Sequence, residues 1–154
     1  MGTSRKNRII RLGEQKHPLS RSEMMKRVKC KDSAAERSLR SALHTRGLRF
    51  RLQRRIEKVT VDIVFPRERV AVLVDGCFWH GCPLHATYPK TNTNYWLPKL
   101  AENRERDERQ TNRLRNCGWT VIRVWEHDCF PPAMPVVTAI VSTVRAARVA
   151  EVGG

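Results

Sequence analysis

Five consecutive apolar residues, Val-Ala-Val-Leu-Val at positions 70–74, constrain the fold of this chain most strongly. A strand that is apolar on both faces is typical of the centre of a sheet with helices on each side. The order of the other predicted elements indicates an α/β sandwich with one mixed sheet and no second domain. These elements are a helix between Ser33 and Gly47, a half-buried edge strand at 48–52, a strand at 59–65, a helix at 94–116, a buried strand at 119–125 and a helix at 135–149.

The charge of the chain indicates the class of its partner. Lys and Arg total 30 against 15 Asp and Glu, a formal net charge of +15, which favours a polyanion and makes nucleic acid the first candidate. Much of this excess lies near the start, so residues 1–23 are predicted to be a flexible basic arm that orders on phosphates, with a solvated tail as the alternative. Residues 24–154 form the predicted globular domain.

Hydropathy and cysteine content indicate the cellular compartment of the protein. No apolar run approaches the roughly 20 residues that cross a bilayer, and none resembles a secretory signal, so a cytoplasmic, nucleoid-associated protein is expected. The five cysteines are an odd number in such a protein. Metal binding or simple burial therefore explains them better than a disulfide framework.

Two carboxylates and one imidazole interrupt the apolar strands. Asp62 lies inside the predicted second strand, Asp75 ends the central strand and His80 follows five residues later. Buried carboxylates need compensating cations, and oxygen ligands of this kind suit Mg²⁺. A histidine beside such a site can take a proton from water, so the group predicts metal-dependent phosphodiester hydrolysis. The alternatives are a solvent-facing Asp62 and a turn-forming Asp75.

Soft metal ligands are dense in the segment after the central strand. Cys77, Cys82 and His85 have the spacing Cys-x4-Cys-x2-His, and His127 follows the last predicted strand. Two thiolates and two imidazoles predict a tetrahedral structural zinc site. The alternative is that both cysteines are buried without metal and both histidines are exposed.

Asp107 is an unusual residue in the predicted long helix. Because Leu100, Asp107 and Leu114 are spaced by seven residues, the carboxylate shares their stripe and needs a partner. Pairing with Arg104, Arg106 or another basic group is expected, with a further zinc contact as the alternative.

Aromatic residues cluster in the irregular segment and at its end, as Phe78-Trp79 and Tyr95-Trp96. Aromatic wedges inserted between base steps unstack DNA, so these rings are candidates for opening a duplex near a scissile bond. Core packing is the alternative for each ring.

Taken together, these motifs resemble the very short patch repair (Vsr) endonuclease family over about residues 24–128. The resemblance implies a restriction-endonuclease-like fold with a structural zinc. It also implies Mg²⁺-dependent nicking of double-stranded DNA on the 5′ side of the T in a T:G mismatch. Because such mismatches arise when 5-methylcytosine deaminates, a functional link to a cytosine-5 DNA methyltransferase follows. The motifs are DGCFWHGCPLH at 75–85, YWL at 95–97, NRERD at 103–107 and GWTVIRVWEH at 118–127.

The resemblance also assigns roles by position. Asp62 matches the metal-binding carboxylate, the Val74 carbonyl a second metal ligand and His80 the water-activating histidine. Glu36 matches a glutamate that supports the active site. A capping box with Ser33 is the alternative role of this side chain, and the active-site role is favoured because Asp32 can cap the helix instead. The remaining assignments are the intercalating rings Phe78, Trp79 and Trp96 and the zinc ligands Cys77, Cys82, His85 and His127.

The chain departs from the family pattern at Asp75, where some members carry a second histidine. Asp75 is therefore a further candidate for catalysis or metal binding. Two other functions stay open: a restriction-like nuclease without mismatch specificity, and a catalytically silent, zinc-stabilised DNA-binding module. The presence of Asp62 and His80 argues against the silent module, and the aromatic residues argue against the unspecific nuclease. A monomer is expected, because nicking one strand needs one active site.

Overall fold

A computed structural model of the chain describes residues 33–85 and 90–152. The basic arm predicted at 1–23, and residues 24–32 of the predicted domain, lie outside the described residues. Within the described part, no helix is both long and apolar enough to cross a membrane.

One mixed sheet runs through the described part, with the strand order β1-β2-β3-β4. Strand β2 pairs antiparallel with both β1 and β3, whereas β3 and β4 run parallel. The prediction of a mixed sheet with residues 70–74 in a central strand is therefore confirmed. The strands are β1 (Arg51–Ile56), β2 (Val59–Phe65), β3 (Val70–Asp75) and β4 (Thr120–Trp125).

Helices cover both faces of this sheet. Val70 and Val72 cluster with buried residues of α1 and α3, while Ala71 and Leu73 cluster with Leu114 of α2. Successive side chains of a strand point to opposite faces, so one apolar run supplies both cores, and the predicted sandwich is confirmed. The helices are α1 (Ala34–Thr45), α2 (Thr93–Asn116) and α3 (Met134–Val152), with a short 3₁₀ turn, Glu126–Asp128, before α3.

The first strand starts later than the alternating residues predicted. The Leu48 N–H donates to the Leu43 carbonyl at 3.1 Å, so this part of the backbone closes the end of α1. The Leu48 side chain is buried in the core beside α1. Of the alternating apolar and polar residues at 48–52, the first therefore belong to the end of α1, and β1 begins at Arg51.

Strand β4 is less buried than its sequence predicted. It pairs only with β3 among the described strands, and Val124 is its one buried residue. A strand at the end of a sheet has a neighbour on one side only, which exposes residues that a central strand would bury. The expectation of a buried strand at 119–125 is therefore wrong in its degree of burial.

The parallel pair β3 and β4 determines where the functional residues meet. Asp75 and Trp125 are register partners at the ends of these strands. The loop that follows Asp75 and the 3₁₀ turn that follows Trp125 consequently leave the sheet at the same edge.

Candidate active site and metal centre

Asp62 lies in the middle of β2 with both carboxylate oxygens directed at neighbouring strands. Oδ2 accepts a hydrogen bond from the Val74 N–H at 2.9 Å, and Oδ1 accepts one from Gln53 Nε2 at 2.9 Å. Burial raises the pKa of the Asp62 carboxyl, although both hydrogen bonds oppose this shift. The structure thus brings the backbone of Val74 next to Asp62 through the Val74 N–H, around a carboxylate that a cation would stabilise.

Gln53 connects Asp62 to the first helix. It lies across from Asp62 in the β1–β2 pair, between the partners Leu52↔Ile63 and Arg54↔Val61. Its backbone has a φ of 47°, a left-handed conformation that is uncommon for a residue with a side chain. The same Nε2 that contacts Asp62 lies 3.4 Å from Glu36 Oε2. Glu36 therefore reaches Asp62 through the amide of Gln53.

Glu36 takes part in both the helix cap and the site. Ser33 is the N-cap of α1, and its Oγ accepts a hydrogen bond from the Glu36 N–H at 3.2 Å. The Ser33 hydroxyl also lies 3.5 Å from Glu36 Oε1, while Oε2 faces Gln53. The expectation that Asp32 caps this helix is wrong, because Ser33 occupies that position. Because the cap uses the Glu36 N–H, the Glu36 carboxylate can face Gln53 at the same time.

His80 pairs with the carboxylate that the helical spacing singled out. Its Nδ1 makes a short hydrogen bond to Asp107 Oδ2 and lies 3.6 Å from Asp75 Oδ1. Burial by itself would raise the pKa of Asp107, but the hydrogen bond to His80 and the charge of Arg123 lower it below its ordinary value. The expected basic partner of Asp107 is therefore found in His80 and Arg123, on the sheet side of the helix.

Arg123 of β4 forms a bidentate ion pair with Asp75. Nε donates to Oδ2 at 2.7 Å and Nη2 to Oδ1 at 2.5 Å, and Nη2 also lies 3.3 Å from Asp107 Oδ1. The ligand atoms of Asp75, His80 and Asp107 are within 4.8 Å of one another, a spacing that would also suit a metal ion. Because the guanidinium holds both Asp75 oxygens, this geometry does not favour Asp75 as a ligand.

The four predicted zinc ligands meet at the edge of the sheet. The ligand atoms of Cys77, Cys82, His85 and His127 lie within 4.8 Å of one another. His127 Nδ1 is 3.1 Å from Cys77 Sγ and 3.7 Å from Cys82 Sγ, and His85 Nδ1 is 3.7 Å from Cys82 Sγ. A tetrahedral zinc with ordinary bond lengths separates sulfur from nitrogen by about 3.5 Å. Donor types and spacing therefore fit a tetrahedral metal.

The backbone of this loop is tied to the turn after β4. Glu126 Oε1 accepts a hydrogen bond from the Cys77 N–H at 3.1 Å, and the Cys82 N–H donates to the Cys77 carbonyl at 2.9 Å. Asn103 of α2, a buried residue, donates from Nδ2 to the Trp79 carbonyl at 3.1 Å. The loop is thus held at Cys77 by the 3₁₀ turn and at Trp79 by α2, directly before His80.

The predicted intercalating rings form one cluster between this loop, which carries Phe78 and Trp79, and α2, which carries Trp96. Phe78 lies 5.2 Å from Trp79 and 5.5 Å from Trp96, and the two tryptophans are 6.0 Å apart, measured between ring centroids. Each of the three rings is half-buried, and Tyr95, which contacts Trp96, is 56% exposed. The cluster therefore presents aromatic surface next to His80 instead of filling the core.

Gln53 and Arg123 are site residues that sequence reasoning missed. Arg123 carried a signal, since it is a charged residue within an apolar strand. Gln53 carried none, because its position opposite Asp62 depends on strand register.

Comparison with known proteins agrees with this arrangement. Residues 14–85 match the family described as DNA mismatch endonuclease Vsr. The type II nicking enzyme V.NaeI of Lentzea aerocolonigenes is 44% identical over 130 residues, which cover 81% of this chain and 76% of the relative. The DNA mismatch endonuclease Vsr of Escherichia coli is 39% identical over 109 residues, 70% of this chain and 69% of the relative.

A solved structure shows that the fold is shared more widely. The catalytic domain of the homing endonuclease I-Bth0305I superimposes with a TM-score of 0.52 at 16% identity, covering 75% of this chain and 98% of that domain. At this identity the likeness concerns the fold alone. The identities to the sequence relatives extend over most of the chain, and the protein therefore belongs to the Vsr family of DNA endonucleases.

Proposed function

We propose that this protein is a Mg²⁺-dependent endonuclease that nicks double-stranded DNA 5′ of the T in a T:G mismatch. One observation carries the proposal: the aromatic cluster and the His80–Asp107 pair lie next to each other where the loop after β3 meets α2. The relative from E. coli, named a mismatch endonuclease, supports the substrate. Aromatic rings that open the duplex beside His80, which accepts a proton, would couple opening of the duplex to its cleavage.

His80 acts as the general base in this proposal. Its Nδ1–H is donated to Asp107, which leaves the lone pair of Nε2 to accept a proton from the attacking water. Asp107 orients the ring and stabilises the imidazolium that forms. Proton transfer by a positioned histidine accelerates such reactions by about 10²–10⁴-fold.

The catalytic metal ion is assigned to Asp62 and the carbonyl of Val74. Oxygen ligands suit Mg²⁺, and because burial raises the pKa of the Asp62 carboxyl, a nearby cation would favour its ionised form. Bound there, Mg²⁺ supplies charge that stabilises the transition state of phosphoryl transfer. Gln53 and Glu36 keep the Asp62 carboxylate in place.

A structural zinc ion is assigned to Cys77, Cys82, His85 and His127. The four side chains would supply all the ligands of a tetrahedral ion, so no position would be left open for a substrate. Bound zinc would fasten the loop that carries Phe78, Trp79 and His80 to the turn after β4.

The proposed substrate also indicates how the protein contacts DNA and which enzyme it works with. Basic residues hold the phosphates without reading sequence, while the aromatic cluster selects the mismatch. Deamination of 5-methylcytosine produces T:G mismatches, which links the protein to a cytosine-5 DNA methyltransferase. It acts as a monomer on chromosomal DNA in the cytoplasm, and its nick starts short-patch repair.

The test uses end-labelled duplexes that differ only in T:G or C:G at one methylation-type site. With Mg²⁺, we expect a nick 5′ of the T in the mismatched duplex alone, and none with EDTA. Asp62→Ala is the matched control, expected to bind DNA without nicking it. Equal cleavage of both duplexes would establish a nuclease without mismatch specificity, and cleavage of neither would establish a silent binding module.

A further inference from the structure

The guanidinium of Arg123 uses all three of its nitrogens within one group of residues. Besides its bidentate pair with Asp75, it donates from Nη1 to the Asp107 carbonyl at 3.2 Å and to Thr111 Oγ1 at 3.3 Å. The Arg123 side chain is 22% exposed, compared with 10% for Asp75 and 13% for Asp107. One side chain of β4 thereby joins the end of β3 to the middle of α2.

The charges of this group require a cation. Asp75 and Asp107 both approach His80 Nδ1, and two partly buried carboxylates at this separation repel each other unless positive charge compensates them. Their oxygens and the imidazole have the spacing of a metal site. A divalent ion in that position would coordinate Nδ1 of His80 in place of its proton. The ring proton would then lie on Nε2, which could no longer accept a proton from water.

Building on the proposed function, we propose that Arg123 is a positioning residue that acts as a built-in cation at the Asp75–His80–Asp107 cluster. It fixes both carboxylates around His80 and excludes a divalent metal ion from the cluster, so that the catalytic ion binds only at Asp62. Arginine suits this role because its planar fork matches a carboxylate in two hydrogen bonds and stays charged at any working pH. The assignment also explains how the chain tolerates an acidic residue at position 75.

Metal counting tests the proposal without DNA. Zinc-loaded protein is titrated with Mn²⁺, and free Mn²⁺ is followed by electron paramagnetic resonance. Arg123→Gln is expected to bind about one more Mn²⁺ per chain than the wild type, because the vacated cluster offers two carboxylates and an imidazole. Adding Asp75→Asn to Arg123→Gln should remove the extra ion, and Arg123→Lys, which keeps the charge, should bind as the wild type does.

Nicking kinetics supply the second readout. Arg123→Gln should lower kcat by about 10-fold or more, because it loosens the carboxylates that orient His80, whose proton transfer contributes about 10²–10⁴-fold. KM for the duplex should change little. Arg123→Lys should recover part of the loss. Arg148→Gln is the matched control, since Arg148 of α3 pairs with Glu68 in the turn between β2 and β3 and is 45% exposed. It should leave both the Mn²⁺ count and kcat unchanged.

Two results would overturn the proposal. One is an Arg123→Gln protein that binds no more Mn²⁺ than the wild type. The other is an Asp75→Asn protein, with Arg123 intact, that binds less Mn²⁺ than the wild type. Asp75 would then be a metal ligand, and this result does not depend on the folding of Arg123→Gln. Because Mn²⁺ is counted without DNA, failure of mismatch nicking alone would contradict the proposed function and leave these counts to decide the role of Arg123.

Discussion

The side-chain amide of Gln53 donates a hydrogen bond to the carboxylate of Asp62, with Nε2 2.9 Å from Oδ1. The bond favours the ionised carboxylate and counteracts the burial that raises its pKa. Gln53→Leu should therefore weaken Mg²⁺ binding or nicking by about 10- to 100-fold, the usual effect of losing an outer-shell partner. The measurement is the Mg²⁺ concentration for half-maximal nicking.

Thr60→Ala is the control for Gln53→Leu, because Thr60 is an exposed residue of the same strand as Asp62. It should leave the Mg²⁺ requirement unchanged. A Gln53→Leu enzyme with the wild-type requirement would show that the amide does not support Asp62.

Asp107→Asn should reduce kcat by about 10²-fold, the lower end of what general-base catalysis contributes. An asparagine amide can donate to Nδ1, which favours the imidazole tautomer whose Nε2 carries a proton and cannot accept another. Single-turnover nicking at saturating enzyme separates this effect from DNA binding. Glu105→Gln, an exposed change on the same helix, should have no such effect; similar losses in both variants would argue against a specific role for Asp107.

Removal of zinc should destabilise the protein. Zinc at a thousand times its Kd contributes about 4 kcal/mol, which corresponds to a Tm shift of about 10 °C in a chain of this size. We expect about one zinc per chain by elemental analysis, a lower zinc content and Tm in Cys82→Ala, and no change in Cys117→Ser. Cys117 is exposed and lies outside the cluster, so it controls for loss of a thiol. If the wild-type protein contains no zinc when purified, and added zinc leaves its Tm unchanged, the site is refuted.

Trp79→Ala should reduce the preference for mismatched over matched duplex, because each base–aromatic stack is worth about 1–3 kcal/mol. Trp79→Phe should retain most of the preference.

Added salt should weaken binding to matched and mismatched duplexes alike and leave the ratio of the two affinities nearly constant, since phosphate contacts carry the salt dependence. A ratio that collapsed with salt would assign specificity to the basic residues.

Ser33→Ala should lower the free energy of unfolding by about 1 kcal/mol, because Ser33 caps α1 through the Glu36 N–H. Ser33→Asp, which retains a side-chain acceptor, should remain close to the wild type. Urea denaturation measures both, and an equal loss in the two variants would mean that the cap contributes little.

Much of the fold and part of the site could be predicted from local pattern. The central strand at 70–74, the bounds of α2 near 94 and 116 and the presence of α3 follow from local sequence pattern, which short-range geometry determines. The dense cysteines and histidines indicated the ligand cluster for a similar reason, since three of the four lie within nine residues. Asp107 was identified as an inward carboxylate from its spacing, although its partners were not.

The amino-acid sequence by itself determined the type of most elements and the chemical groups available to the site. The tertiary structure decided which of these groups meet. Gln53 faces Asp62 because of the β1–β2 register, and Arg123 reaches Asp75 because β4 lies parallel to β3. The edge position of β4 likewise depends on strand order. Such pairings join residues distant in the chain, and the free energy that selects them comes from packing the whole sheet between its helices, which no local pattern records.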